Sequence, residues 1–410
     1  MELPKTGTPR EKLFETMRER KARDADWRGA RTWSLVYHAG EDVDDVLREA
    51  NSLYLFENAL NPLRFPSLRQ MEVDVVEMTA GLLHAGPAAG GAMTSGGTES
   101  ILMAVLAARE RAKAERGVTR PELVIPISAH PAFAKAAKYL GLVVREIPLR
   151  ADLRADPVAA AGLVGDETAL VVGSAPSYPH GVVDPIPELA ALALARGISF
   201  HTDACVGGFL LPFLERLGHP VPPFDFRVPG VTTMSADVHK YGWCNKGASV
   251  VVHRDEAHLK KYQLFVYDRW PGGLYASFSM AGTRPAPPIA AAWAVMQYLG
   301  EEGYVRLARV TLDTTKRLRD GIEAIPELHF WGDPDATLLA FGSESVDVMA
   351  VGDAMDDRGW HLDRQKRPDA LHLMVTPNHA RIVDRFLSDL RDSVATATKA
   401  KSRGVEARYS

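Results

Sequence analysis

"VTTMSADVHKYGWCNKGASVVVH", residues 231–253, sets two short apolar runs around a loop that carries His239, Lys240 and Lys246. Short runs rich in Val, Ile and Thr, bounded by polar or glycine-containing segments, read as strands. Towards the N-terminus the pattern recurs in "ISFHTDA" (198–204), "TALVVGS" (168–174), "LVVREIPL" (142–149) and "ELVIPI" (122–127), with helix-like segments between the runs. Near-continuous apolar strands alternating with helices indicate a parallel or mixed sheet covered on both faces. Residues 61–285 are therefore read as a large α/β domain.

After "AGTRPAPP" the pattern changes to a long amphipathic helical stretch near 288–324, followed by "LHFWG", "TLLAFGS", a helix near 345–358, "LHLMVT" and a final helix. Residues 286–410 are expected to form a smaller α/β domain, and residues 1–60, helical and then irregular, an N-terminal arm. Lys and Arg number 48 against 52 Asp and Glu, a formal charge of −4, which provides no field for nucleic acid or an anionic membrane surface. The two cysteines, Cys205 and Cys244, are too few for a disulfide framework and have no metal-ligand spacing. They are read as reduced packing residues, and no metal site is expected. The charged N-terminal segment has no apolar h-region and no stretch reaches the length of a membrane span, so a cytoplasmic protein without a transmembrane segment is expected.

In a doubly wound sheet, the loops at the C-terminal strand ends converge on one crevice. "TSGGTES" (94–100) opens a helix, so the backbone N–H groups near Gly97 and Thr98 face the position where a phosphate is favoured. Asp203 closes the strand "ISFHTDA", a costly place for a carboxylate unless it meets a cation or a strong donor. Lys240 follows "VTTMSA", and burial at a strand end is expected to lower its pKa and free its amine for Schiff-base chemistry. Pyridoxal 5'-phosphate accounts for all three features together, since it presents a phosphate, a ring nitrogen and an aldehyde.

The segments "TSGGTESILMA", "SAHPAFAKAAKYLG", "GSAPSYPHGVVDPIPELA", "HTDACVGGFL", "SADVHKYG", "KGASVVV" and "GGLYASFSMAGTRP" resemble, in order and spacing, the sphingosine-1-phosphate lyases of the pyridoxal-phosphate fold type I superfamily. The resemblance runs from about residue 35 to 395 and extends more loosely to group II amino-acid decarboxylases. It implies an aspartate aminotransferase-like fold with a large, mostly parallel sheet and a homodimer with shared active sites. It also implies roles: Lys240 as the Schiff-base lysine, His239 and Gly97–Thr98 at the cofactor phosphate, Asp203 at the pyridine nitrogen, and His130 stacked on the ring. Thr283, where the family usually has Ser, is implied to reach the phosphate in the neighbouring subunit, and Tyr37 and Lys246 to lie near the substrate.

One departure concerns "NPLRFPS" (61–67), which is shorter than the family's "NPLHPDxFP" and lacks its histidine. Arg64 can replace that cation, since a guanidinium matches a phosphate through its planar fork of donors, or the site has been rebuilt for another substrate. Ser177 stands where relatives tend to carry Asn or Gln. The implied reaction is cleavage of the C2–C3 bond of a phosphorylated sphingoid base, an amino-alcohol lipid, to a long-chain aldehyde and phosphoethanolamine. Lys240, Lys246 and Tyr37 remain candidates for its base. An amino-acid decarboxylase is the second reading, and a non-catalytic protein of the same fold the third.

Overall fold

The computed structural model describes residues 1–397 and 402–404. Helices α1 (Arg10–Lys21), α2 (Glu41–Leu53) and α3 (Pro66–Leu82) precede strand β1 (Gly90–Thr94) and helix α4 (Gly97–Arg116). Strands and helices then alternate: β2 (Glu122–Pro126), α5 (Ala132–Leu140), β3 (Val143–Ile147), α6 (Pro157–Leu163), β4 (Thr168–Ser174), α7 (Ile186–Leu194), β5 (Ser199–Asp203), α8 (Leu211–Arg216), β6 (Thr233–Ala236) and β7 (Ser249–His253). Helix α9 (Glu256–His258) leads to a hairpin of β8 (Phe265–Tyr267) and β9 (Tyr275–Ser277). The rest comprises α10 (Pro287–Glu323), β10 (His329–Phe330), β11 (Leu338–Gly342), α11 (Val348–Asp356), β12 (Asp363–Gln365), β13 (Ala370–Met374) and α12 (Val383–Ala397).

The large sheet has seven strands in the order β1-β7-β6-β5-β4-β2-β3. Neighbours from β6 to β3 are parallel, whereas β7 runs antiparallel to both β1 and β6. The entrance to β7 therefore lies at the same edge as the exits of β1, β2, β4, β5 and β6. This sheet is the mostly parallel, mixed sheet expected from the sequence. Every residue of β4, β5, β6 and β7 is buried, which is why these runs are apolar without alternation. At the edge, β3 buries only Ile147, and its Arg145 is 2.6 Å from Glu122 on the neighbouring strand. Charge on an edge strand discourages pairing with another chain. Strand β1, "GGAMT", was not among the sequence-derived strands: glycine is a poor strand former, and pairing with β7 supplies the order that its own propensity does not.

The second sheet has four antiparallel strands, β10-β11-β13-β12, covered by α11 and α12. Helix α10 links the two cores. Its early residues Ile289, Val295 and Leu299 join the core of the large sheet, Leu318 and Ile322 join the second core, and Gly300 between them leaves the helical conformation at φ 51°.

The N-terminal segment contributes to the second core. Trp33 is fully buried, stacks on His379 at a centroid distance of 4.1 Å and lies 4.5 Å from the Phe386 ring. Its backbone N–H donates to His361 O at 3.3 Å, and its carbonyl accepts from Met374 N at 2.8 Å. The segment is thus an added strand-like piece of the second core. Removing a buried Trp side chain costs about 3–5 kcal/mol. Trp33→Ala is expected to lower unfolding stability by about that amount in urea titration; a loss below about 1 kcal/mol would contradict this packing.

Candidate active site

Complete burial of the sheet faces leaves the strand ends as the place where polar groups can meet a ligand. Strand β6 ends at Ala236, and the next residues turn back so that Lys240 N–H donates to Asp237 O at 3.2 Å and His239 N–H to Ala248 O at 3.1 Å. The returning chain enters β7, so Lys246 arrives at the edge that Lys240 already occupies. Asp203 is the last residue of β5, and His130 follows β2.

His130, Asp203 and Lys240 line one cleft together with Ser174, Tyr178, Cys205 and Val206, with about 20 Å³ of open space. A larger cavity of about 590 Å³ lies elsewhere, bounded among others by Asn61, Phe65, Glu72 and Arg284. The convergent titratable groups, rather than the greater volume, make the small cleft the candidate reactive centre.

The expectation of a lowered Lys240 pKa is corrected by the structure. Burial, the largest single influence, pulls the amine down, but the opposing groups, led by Asp237 with Oδ2 at 2.9 Å from Nζ, together outweigh it, so the pKa stands well above the ordinary lysine value. On Asp237 burial pushes upward, while Lys240 and His239 hold the carboxyl below its usual range. Both shifts describe one charged, buried pair. Sequence reading passed over Asp237, although it is a carboxylate three positions before the lysine at the same strand end.

The imidazoles are kept neutral. Burial lowers His239 to about 4 against the opposing pull of Asp237, whose Oδ2 is 3.5 Å from Nε2, and Lys246 and Lys240 lower it further. Its Nδ1 is buried without a hydrogen-bond partner. Burial also lowers His130, partly offset by Asp203, and His130 Nδ1 accepts the Ala132 N–H at 3.1 Å. That acceptor role leaves Nε2 to carry the proton in the neutral ring. Asp203 Oδ1 accepts from Cys205 N at 3.0 Å and Ser235 Oγ at 3.2 Å, which fixes the carboxylate at the strand end.

Helix α4 begins at Gly97. A methyl on Gly97 would lie 2.7 Å from Cys205 Sγ and 2.8 Å from Asp237 Oδ2, and one on Gly96 would lie 3.3 Å from His239 Cε1. Glycine lets this helix N-terminus approach the β5 and β6 loops closely. The first N–H groups of a helix lack intrahelical acceptors, and beside them stands the unpartnered His239 Nδ1. Thr98, in the first turn, is exposed. An anion cradle, an amine, a strand-end carboxylate and a neutral imidazole on one edge fit pyridoxal phosphate.

Lys246 Nζ is 3.4 Å from His239 O and 4.7 Å from the centre of the Tyr37 ring, which packs edge-on to Tyr241 at 5.3 Å. The residue keeps an exposed side, but burial of its amine and the neighbouring Lys240 charge lower its pKa to about 8. Tyr37 O–H donates to Met374 Sδ, so the arm, the lysine loop and β13 meet here. Cys205 and Cys244 are buried, and burial raises both thiol pKa values, in keeping with packing residues. Ser177 is buried with its hydroxyl unpartnered. Arg64 and Thr283 do not join this cluster within one chain: both are exposed, Arg64 just before α3 and Thr283 just before α10. Tyr178, also not singled out from sequence, lines the cleft and donates its O–H to Asp363 Oδ2 at 2.5 Å.

The pyridoxal-dependent decarboxylase conserved domain matches residues 27–343. The sphingosine-1-phosphate lyase of Arabidopsis thaliana is 44% identical over 392 residues, which span 94% of this chain and 72% of that protein. Sphingosine-1-phosphate lyase 1 of Rattus norvegicus is 41% identical over 413 residues, 99% of this chain and 72% of that protein. Among solved structures, a sphingosine-1-phosphate lyase of Burkholderia pseudomallei is similar with TM-score 0.94 and 40% identity, covering 97% of this chain and 93% of that one. A glutamate decarboxylase of Lactobacillus brevis, 20% identical with TM-score 0.85 over 98% of this chain and 96% of that one, shares the fold.

Because only the neutral amine attacks an acylating reagent, a Lys246 pKa of about 8 sets the pH dependence of its labelling. In cofactor-free protein, labelling of Lys246 followed by peptide mass spectrometry is expected to pass its half-maximal rate at about pH 8 and level off above it, while Lys240 stays slow throughout. Equal rates for both at pH 8 would contradict the charge arrangement.

Proposed function

Since the chain belongs to the pyridoxal-dependent decarboxylase family, and within it to the sphingosine-1-phosphate lyases, we propose that it is a pyridoxal-phosphate-dependent aldehyde-lyase. Its substrates are phosphorylated sphingoid bases, cleaved between C2 and C3 to a long-chain aldehyde and phosphoethanolamine. The observation that carries this reading is the second amine: Lys246 Nζ sits against the His239 carbonyl at 3.4 Å, on the edge that holds Lys240. Cleavage at C2–C3 needs a base for the C3 hydroxyl proton besides the amine that anchors the cofactor, and this second amine, with its lowered pKa, supplies one.

When bound, pyridoxal phosphate supplies an electron sink for the pair left behind as the C2–C3 bond breaks. The residues of this chain prepare that event. The α4 N-terminus at Gly97 and Thr98, with His239, would hold the phosphate, and Asp203 would keep a proton on the ring nitrogen. His130, kept neutral by burial, would stand against the ring without adding a competing charge. Lys240 would be the amine that anchors the aldehyde, and its amine is placed on the same edge to hold or deliver a proton at C2. Lys246, with a pKa of about 8, takes the proton of the C3 hydroxyl at Nζ, while Tyr37 beneath it fixes the amine's direction. Arg64 binds the substrate phosphate.

Exposed Arg64 and Thr283 act across subunits in a cytoplasmic homodimer with shared active sites. Support comes from the large exposed apolar side chains Phe56, Leu63, Trp270, Leu274 and Met280, which lie near these two residues in sequence. The division into an arm (1–60), a cofactor-binding domain (61–285) and a C-terminal domain (286–410) serves the same reading. No helix among the described residues is long and apolar enough to cross a membrane.

Protein loaded with pyridoxal phosphate and given a phosphorylated sphingoid base is expected to release both products in equal amounts. Lys240→Ala should abolish turnover. Release of carbon dioxide from amino acids without aldehyde from the lipid would replace this reading with decarboxylation. Sedimentation velocity is expected to give twice the 44.8 kDa chain mass, and a monomer at assay concentration would remove the shared-site arrangement.

A further inference from the structure

Asp237 is 2% exposed and is faced by cations and donors from several elements. Oδ2 lies 2.9 Å from Lys240 Nζ and 3.5 Å from His239 Nε2, and both carboxylate oxygens approach the start of α4 so closely that a methyl on Gly97 would stand 2.8 and 2.9 Å from them. Around this carboxylate are Lys240, His239 and Lys246 from the loop that follows β6, Cys205 from the loop after β5, and the positive end of α4. His130 and Asp203 face Lys240 from the ends of β2 and β5, and Tyr37 of the arm faces Lys240 and Lys246. The buried carboxylate has two potential cationic partners, and in this structure the nearer one, Lys240, holds it.

We propose that Asp237 is a positioning residue that changes partner when the cofactor is captured, holding the Lys240 ammonium beforehand and a His239 imidazolium afterwards. The inference rests on reading this loop as the cofactor site. With Lys240 committed to the aldehyde, the carboxylate would be left with His239 Nε2 as its nearest cationic partner, beside the hydroxyl of Ser249. An imidazole that donates through Nε2 to Asp237 and through Nδ1 to a phosphate carries both protons, and Nδ1 is the buried nitrogen that lacks a partner here. The cradle thus gains its side-chain cation at the moment the phosphate is covalently retained. Before that, a neutral His239 avoids placing a third positive charge beside Lys240 and Lys246.

The test follows His239 in histidine-labelled protein by nitrogen-15 NMR across pH, with its resonance assigned by loss in His239→Gln. In wild-type protein without cofactor, His239 is expected to titrate near pH 4. With pyridoxal 5'-phosphate it is expected to titrate above the ordinary value of about 6.5. Pyridoxine 5'-phosphate brings the same phosphate without an aldehyde and leaves Lys240 with Asp237, so it is expected to raise the His239 pKa by at least one unit less. Lys240→Ala supplies a cofactor-free measurement: with the lysine gone, Asp237 turns to His239, and its pKa is expected to rise by at least one unit. Asp237→Asn should leave His239 neutral near pH 6 with either ligand.

Equal His239 titration with pyridoxal and pyridoxine phosphates, or no rise in cofactor-free Lys240→Ala, would overturn the exchange. The Lys240→Ala result stands whether or not Asp237→Asn folds. Failure of the protein to bind pyridoxal phosphate would instead count against the reading of the site, which separates the two ideas.

Discussion

The two-sided burial of the large sheet is the constraint on which the arrangement depends. With β4, β5, β6 and β7 covered on both faces, a charged side chain within a strand has nowhere to go, and the chemistry is confined to the strand ends. The single reversed strand, β7, turns that confinement into a site. By running against its neighbours it returns the chain to the edge it has just left, and a lysine six residues after Lys240 comes back beside it.

Much of this was legible in the sequence because continuous apolar runs and strand-end polar residues are local signals. Lys240 and Asp203 could be placed at one edge from the order of runs, His130 was implied only by the family resemblance, and the three line one cleft. Strand β1 was not legible, because "GGAMT" owes its conformation to β7, a partner distant in sequence. The sign of the Lys240 shift was likewise missed. Burial was inferred correctly, but neighbouring groups led by the carboxylate of Asp237, at 2.9 Å, reverse its effect, and only folding sets that distance. Thr283 and Arg64 lie outside the cluster of a single chain, where no local pattern reports what they meet.

Around Lys240 the protein holds its charges unequally. One lysine is held as an ammonium by a buried carboxylate, a second is held near the midpoint of its titration at neutral to mildly alkaline pH, and the two nearby imidazoles are discharged by burial. Two amines separated by a few residues can therefore perform different tasks at one pH. Tyr37 under Lys246 and Tyr178 bonded to Asp363 anchor opposite parts of this region to the arm and to the second sheet.

Trp33 carries a consequence for biosynthesis. Its aromatic platform is completed by Trp360, His379 and Phe386, which are made more than three hundred residues later. During translation the segment around Trp33 emerges with its largest apolar side chain uncovered, and the residues that cover it follow more than three hundred positions later. The second core thus joins distant parts of the chain and cannot be finished until Phe386 has been made, while the strands of the large sheet can begin to pair well before that.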